Sequence, residues 1–305
     1  MKRIQTLDQI LDIVRNTRKK KRLAVAVPHD PATLSALRHS YDDGIVNVLL
    51  FGDEKIIRRI ADQNRIDIRP FQITNSTDPI EAVDRTVESV IKGQAHLIMK
   101  GSVPTSKVLG AVLHKGKELL PKGRILSHLA PFYSPVNQRL LIMTDAAVNI
   151  NPTLARKVHI ITNSIDAARK LGIHTPRVAV LAAVEKVNVT KMPVTGEAKL
   201  LEKMGNAGLF GNALIEGPLA LDNAVSMISA KLKHTRGTVA GKADILVAPD
   251  IEAANILYKS IISFTDITMA TVVVGARVPI VMPSRSDSEK TKTASIGLAS
   301  FLSEL

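Results

Sequence analysis

Short, continuous apolar runs separated by longer amphipathic stretches extend along the whole chain, and this rhythm constrains the fold more than any other feature. The runs lie at residues 23–27, 46–51, 97–99, 140–144, 178–181, 213–215, 245–248, 271–274 and 280–282. Most are apolar at every position instead of at alternate ones, the pattern of strands buried on both faces of a parallel sheet. Between them the periodicity predicts helices over 31–44, 79–93, 152–172 and 251–265. Pro31 and Pro152 stand where a first helical turn tolerates proline, and Gly44, Gly93 and Gly172 stand where helices stop. Strands and helices alternating in this way make an α/β doubly wound architecture. The 305 residues leave room for one large domain or two of about 150 residues each. The pattern breaks at Leu120-Pro121-Lys122-Gly123 and again at Gly275-Ala276-Arg277, without a long linker or an internal repeat.

Composition removes several function classes. The chain has no Cys, so a disulfide framework, a thiolate metal site and a Cys nucleophile are excluded. Aromatic residues make up 3% and Trp is absent, which leaves an aliphatic, Ala-rich core and argues against a base-stacking surface. The excess of 41 Lys+Arg over 28 Asp+Glu gives a net charge of +13. Its densest part, Arg15 and Arg18 to Arg22, falls between an amphipathic helix and the first apolar run. Cations at a helix C-terminus favour the dipole there; a polyanion contact is the sharper reading. No zinc-finger or RNA-module signature accompanies the charge, so no nucleic-acid partner is expected. The N-terminal residues lack the apolar region of a signal peptide, and no run of about 18 apolar residues offers a membrane span. A cytoplasmic protein is expected.

Open α/β sheets bind ligands at the carboxyl ends of their strands, and polar residues collect there. Lys100, Gly101 and Ser102 follow 97–99; Asp145 and Asn149 follow 140–144; Glu185 and Asn188 follow 178–181; Glu216 and Asp222 follow 213–215. Asp250, Glu252 and Asn255 follow 245–248, and Ser284, Arg285, Ser286, Asp287, Ser288 and Glu289 follow 280–282. Each cluster has a structural explanation, since Asp, Asn and Ser cap helix N-termini. Ser286 and Glu289 have the spacing of a capping box. Lys100 and Arg285 are not caps, and they point to an anion held at the sheet edge beside helix N-termini. Residues 205–211 have the wrong glycine spacing for a dinucleotide fingerprint. No Walker A, G-x-S-x-G or H-E-x-x-H motif occurs. The eight His are dispersed without metal-ligand pairing, and no metal is expected; only His128, just past Arg124, is placed to approach a cleft.

These strand-end segments resemble the phosphate acetyltransferase/phosphate butyryltransferase family, and its butyryltransferase branch most. The resemblance rests on Met99-Lys100-Gly101, Leu126-Ser127-His128, Thr144 to Ile150, Glu216 to Ala224, Val239 to Leu246, Pro249 to Ser260, Val274 to Ala276, Pro279 to Val281 and Ser284 to Ser288. It covers the chain in order with short gaps. It implies reversible acyl transfer between coenzyme A and inorganic phosphate by direct attack in a ternary complex. It also implies two doubly wound α/β domains around a cleft, as in isocitrate and isopropylmalate dehydrogenases. The division suited to that fold is 1–121 with 275–305 for the first domain and 122–274 for the second. Coenzyme A enters as a substrate and no cofactor is held tightly. The partners implied are acyl-CoA, phosphate and acyl phosphate, with a homodimer or larger homo-oligomer.

Ser284 and Arg285 match the family's Ser-Arg pair, which implies a grip on phosphate or acyl phosphate; the guanidinium fork suits phosphate oxygens. The acetyl branch has its proposed aspartate base seven residues beyond that Ser, where Thr291 stands here. Asp287 is the nearest carboxylate and the first candidate base, with Glu289 second. The acetyl branch also has an arginine within the segment matching 108–111, and none stands here. Lys100 or Arg124 is then the cation left for phosphate or CoA. Ser127, His128, Asp145, Asn149, Asp222, Asp250, Glu252 and Asn255 complete the candidate lining residues. The butyryl branch implies a butyryl or branched short acyl group, and the alternative is a phosphate acetyltransferase acting on acetyl-CoA. Remoter alternatives are a nicotinamide-dependent oxidative decarboxylase of the same fold, whose paired metal aspartates and arginine cluster are lacking here, and a basic nucleic-acid binder.

Overall fold

A computed structural model describes residues 2–114, 119–235, 237–284 and 287–303. The elements in its first part are α1 (Leu7–Asn16), β1 (Lys21–Ala26), α2 (Pro31–Asp42), β2 (Val46–Gly52), α3 (Glu54–Gln63), β3 (Gln72–Asn75), α4 (Pro79–Ile91), β4 (Leu97–Lys100) and α5 (Thr105–Leu113). Next come β5 (Ser127–Ser134), β6 (Arg139–Thr144), α6 (Leu154–Lys170), β7 (Arg177–Leu181), α7 (Pro193–Asn206), β8 (Leu214–Leu219), α8 (Leu221–Val225) and α9 (Met227–Leu232). The last are β9 (Ile245–Val247), α10 (Ile251–Phe264), β10 (Val272–Val274), β11 (Ile280–Val281) and α11 (Glu289–Leu302).

The chain forms two compact units. A terminal unit comprises Leu7–Arg124 and Thr268–Leu305, and a middle unit comprises Met1–Thr6 and Ile125–Ile267. This differs from the expected division at Pro121 and Gly275. β10 pairs antiparallel with β11 (Val272↔Val281), which carries the second changeover back to Ile267. The first six residues join the middle unit, where Ile4 N donates to Leu171 O at 3.0 Å.

In the terminal unit β3, β2, β1, β4 and β11 are parallel neighbours in that order, with β10 beyond β11. β4 is buried along its full length, as its unbroken Leu-Ile-Met run requires. Asp30 caps α2 by accepting from Thr33 N, with Pro31 at N1. α11 is buried at Thr291, Lys292 and from Ala294 to Leu302 and packs against α1 and α2.

In the middle unit the order is β5, β6, β9, β7, β8, with β5 antiparallel to β6 and the rest parallel. α6 starts at Leu154 behind the cap Thr153, so Pro152 lies just outside the helix instead of in its first turn. Two strands escaped the apolar-run reading. β3 is half exposed, and β5 opens on Ser127-His128 and contains Pro131, a residue that argues against a strand when only sequence is read. Among the described residues no helix is long and apolar enough to cross a membrane.

Candidate active site

In the terminal unit, three loops leave the carboxyl ends of neighbouring strands. The register pairs Ala26 of β1 with Lys100 of β4, and Met99 of β4 with Val281 of β11. Lys100 therefore ends its strand between the loop that begins at Val27 and the loop that carries Ser284. It is buried, and its Nζ donates to Gly101 O at 3.2 Å. After Lys100 the chain stays against β1, with Gly101 N donating to Ala26 O and Ser102 N to Val27 O. A Cβ on Gly101 would lie 2.2 Å from Val27 O, so only glycine permits this approach. Ser102 Oγ donates to Asp30 Oδ2 at 3.1 Å, tying two of the loops together.

The Ser284–Asp287 loop closes on itself. Ser284 N donates to Asp287 Oδ2 at 2.8 Å, and Asp287 N donates to Ser284 O at 3.2 Å. Beneath it Lys292, only 1% exposed, donates through Nζ to Asp287 O. Among the described residues no carboxylate lies within 4.0 Å of that ammonium. Sequence reasoning missed Lys292. The available signal was a cation close to the start of a helix, where the dipole disfavours positive charge.

Arg285 and Ser286, the first of these the phosphate-binding candidate and the second the expected cap, lie outside the described residues. The cap of α11 is Ser288, whose Oγ accepts from Thr291 N at 3.1 Å. Glu289 does not reach back toward the loop; it accepts from Ser35 Oγ at 2.7 Å and from His39 Nδ1. Burial raises the Glu289 pKa, but the bonds from Ser35 and His39 outweigh it and hold the carboxyl below its ordinary value. That carboxylate is committed to α2. Thr291, at the acetyl-branch base position, has its backbone engaged by the same cap.

The middle unit carries a second cluster. Because β5 and β6 are antiparallel (Ala130↔Met143), the start of β5 lies beside the end of β6, and Ser127 and His128 come to Asp145 and Asn149. Asp145 Oδ1 accepts from Ala147 N and Val148 N at 3.1 and 2.9 Å. Its Oδ2 accepts from Asn149 Nδ2 at 2.6 Å, and the same amide donates to Leu126 O. Thr144 Oγ1 donates to His128 O, and Asn255 Nδ2 donates to Ala146 O at 3.0 Å. The His128 ring meets Tyr258 edge-on at 6.4 Å. Ser127 is fully buried, and its Oγ accepts from Asn163 Nδ2.

Arg156, Asn163 and Tyr258 belong to this cluster and were missed from sequence. Arg156 Nη1 donates to Asn149 Oδ1 at 2.8 Å; it stands in the first turn of α6, again a cation set against a helix dipole. The remaining candidates do not join the network. Asp250 caps α10 by accepting from Ala253 N, and Glu252 lies exposed in the first turn of that helix. Asp222 is exposed and pairs with Lys233 at 2.8 Å, whose ammonium holds the carboxyl below its ordinary value. Among the described residues no group of three or more His, Asp or Glu could hold a metal ion.

Two α/β units with polar loops at their strand ends make a protein of dehydrogenase-like fold. 4-Hydroxythreonine-4-phosphate dehydrogenase from Klebsiella pneumoniae superposes with a TM-score of 0.57 at 13% identity, covering 94% of this chain and all of the other, a likeness of fold alone. A branched-chain phosphotransacylase from Enterococcus faecalis V583 superposes with a TM-score of 0.83 at 31% identity, over 93% of this chain and 99% of that one. The family described as phosphate acetyl/butaryl transferase matches residues 81–299. Phosphate butyryltransferase of Clostridium acetobutylicum is 40% identical over 299 residues, 98% of both chains. Phosphate acetyltransferase of Thermotoga maritima is 38% identical over 96% of this chain and 98% of its own. The chain belongs to the phosphate acetyl/butyryl transferase family and is an acyltransferase of that family.

Proposed function

We propose that this enzyme transfers a short acyl group, of about four carbons or branched, between coenzyme A and inorganic phosphate, giving acyl phosphate and free CoA. One observation carries the reading: nearly the whole chain matches phosphate butyryltransferase of Clostridium acetobutylicum at 40% identity. A branched-chain phosphotransacylase among the structural relatives, 31% identical, agrees with it.

In the forward direction a phosphate oxygen attacks the thioester carbonyl within a ternary complex. The new C–O bond forms, the carbonyl electrons pass to the oxygen and return, and the C–S bond breaks with its electron pair on sulfur. A CoA thiol has a pKa near the ordinary value of about 8.5, so the leaving thiolate takes up the proton that the attacking hydrogen phosphate gives up, and the reverse reaction must remove one from the thiol. Ser284, Arg285 and Lys100 are assigned to the phosphate. Lys100 ends β4, Ser284 lies in the loop that follows the adjacent strand β11, and Arg285 supplies the fork. Asp287 is assigned as the proton acceptor of the reverse direction, its Oδ2 held by Ser284 N and Oδ1 being the second acceptor of the carboxylate. The His128–Asp145–Asn149–Asn255 network and Ser127 support the binding of acyl-CoA. Asp222, Asp250 and Glu252 are the least supported members, being engaged with Lys233, with a helix cap and with solvent. The same reading has coenzyme A as a substrate without a tightly held cofactor, a homodimer or larger assembly, and a cytoplasmic setting.

The test is thiol release from a panel of acyl-CoAs, acetyl to hexanoyl and branched, with and without phosphate. Phosphate-dependent release peaking at butyryl or a branched chain is expected. A peak at acetyl would overturn the chain-length assignment, and no phosphate-dependent release would overturn the reaction.

A further inference from the structure

Three arginines converge on one carboxylate at the opposite edge of the middle unit's sheet. Arg139 opens β6, Arg177 opens β7, and Asp244 immediately precedes β9, which lies parallel between them. The amino ends of the three strands are therefore neighbours, and Arg3 of the N-terminal segment joins them. Arg3 Nη2 lies 2.7 Å from Asp244 Oδ1, Arg139 Nε 3.8 Å from the same oxygen, and Arg177 Nη1 3.9 Å from Oδ2.

The charges do not balance. Three guanidiniums face one carboxylate, a local excess of two positive charges, and among the described residues no second carboxylate lies within 4.0 Å of any of them. A buried carboxylate needs compensating charge, but one arginine supplies it. The donors are also in surplus. Arg3 donates to Asp244 and Arg139 Nη2 donates to Ala243 O, whereas the Arg177 guanidinium makes no hydrogen bond among the described residues. Asp244 is wholly buried, but the three arginine side chains are 27%, 21% and 36% exposed. They are held from below and open above. Burial, opposed by Asp244 and reinforced by Arg3 and Arg177, pushes Arg139 below the ordinary arginine value. An anion of charge two placed here would relieve both the repulsion and the donor surplus.

We propose that Arg3, Arg139 and Arg177 form a second anion site, which takes the dianionic phosphate group of a small phosphorylated molecule. It is separate from the Asp145 cluster, because β6 runs from Arg139 at one edge to Thr144 at the other, about 17 Å along the strand. The compactness of the cluster favours a small solute. A nucleic acid would need an extended basic stripe, and a membrane surface a cluster of several flanking cations.

The experiment is calorimetric titration of the full chain with inorganic pyrophosphate at constant ionic strength, on the wild type, Arg177→Gln and Arg3→Gln. Arg3→Gln alters only the N-terminal segment and covers the case in which the strand-start variant does not fold. The wild type is expected to bind with a Kd below about 1 mM. Either variant should weaken that binding about tenfold or more, the scale of a lost charge-assisted bond. Phosphate-dependent thiol release in the absence of pyrophosphate should stay within about twofold of wild type, a change well under 1.4 kcal/mol. Equal binding by all three proteins, or no binding by the wild type, overturns the proposal. Loss of binding together with loss of thiol release also overturns it, because the pyrophosphate would then occupy the acyl-transfer site. A single-stranded oligonucleotide bound more tightly than pyrophosphate, and released by Arg177→Gln, would reassign the cluster to nucleic acid. Failure of the acyl-transfer assay in every protein would reject the proposed function without touching the binding result.

Discussion

Replacing Lys292 by Met separates a positioning role from a purely structural one. The side chain is 1% exposed, and its Nζ donates to Asp287 O without a carboxylate partner among the described residues. Met keeps much of the stem and removes the charge and the donor. The lost bond leaves Asp287 O without this donor inside the protein, which costs about 1–3 kcal/mol. Against that, an ammonium no longer has to be stripped of water, a relief worth several kcal/mol even after relaxation. The two effects nearly cancel, so Lys292→Met should be about as stable as the wild type, or more stable. Activity should not follow stability. The Ser284–Asp287 loop loses the contact beneath it, and a displacement of about 1 Å at a reacting group can cost about a hundredfold, or about 2.7 kcal/mol of transition-state stabilisation. Urea midpoints and phosphate-dependent thiol release are measured on the same preparation. The fall in kcat/KM should be accompanied by a raised KM for phosphate, with KM for acyl-CoA little changed. A variant destabilised by more than about 3 kcal/mol that keeps wild-type kcat/KM would refute the reasoning, because Lys292 would then be serving the fold alone.

Three further outcomes are expected. Replacing Arg285 by Ala should lower turnover by about a hundredfold or more, the scale of losing a positioned transition-state donor; near-normal kinetics would remove it from the phosphate site. Gly101→Ala places a Cβ 2.2 Å from Val27 O, so overpacking should lower stability by at least about 1–3 kcal/mol, and an unchanged thermal midpoint would contradict the close approach. His96 Nδ1 accepts from Arg22 N and His29 Nε2 from Asp53 N, and burial is the main cause lowering both pKa values below 6.5. With the folded value below the unfolded one, their contribution is fully present above pH 6.5 and is lost as pH falls through the folded values. His96→Gln should flatten the decline in urea midpoint as pH falls below about 6.5; a slope equal to wild type would show that the ring does not titrate as its hydrogen bond requires.

How much of the molecule was legible in the sequence depended on whether the relevant physics is local. β1, β4, β6, β7 and β9 could be read because strands covered on both faces carry unbroken apolar runs, and β2 because the exposed Asn47 alone interrupts its run. β3 and β5 could not, since one is half exposed and the other carries Pro131 within a pairing that only β6 explains. The start of α2 at Pro31 was similarly local, since the fixed φ of proline suits a first helical turn. The cap of α11 was not decided by spacing: Ser286 and Ser288 both precede Glu289, and the described contacts select Ser288 because Glu289 is drawn to Ser35 and His39 on α2.

By itself the sequence determined the fold class, the strand ends at which polar chemistry gathers, and the family motifs that run through them. Those follow from the burial pattern and from residue types at fixed spacing, both written along the chain. Only the tertiary structure decided which of those polar residues meet and which are already occupied. It brought His128 to Thr144 through antiparallel pairing, set Arg156 on Asn149, buried Lys292 under Asp287 and turned Asp222 toward Lys233. It also brought Arg3 to Asp244 across 241 residues. Contacts of that kind depend on how the elements pack, and neither the identity nor the spacing of nearby residues encodes them.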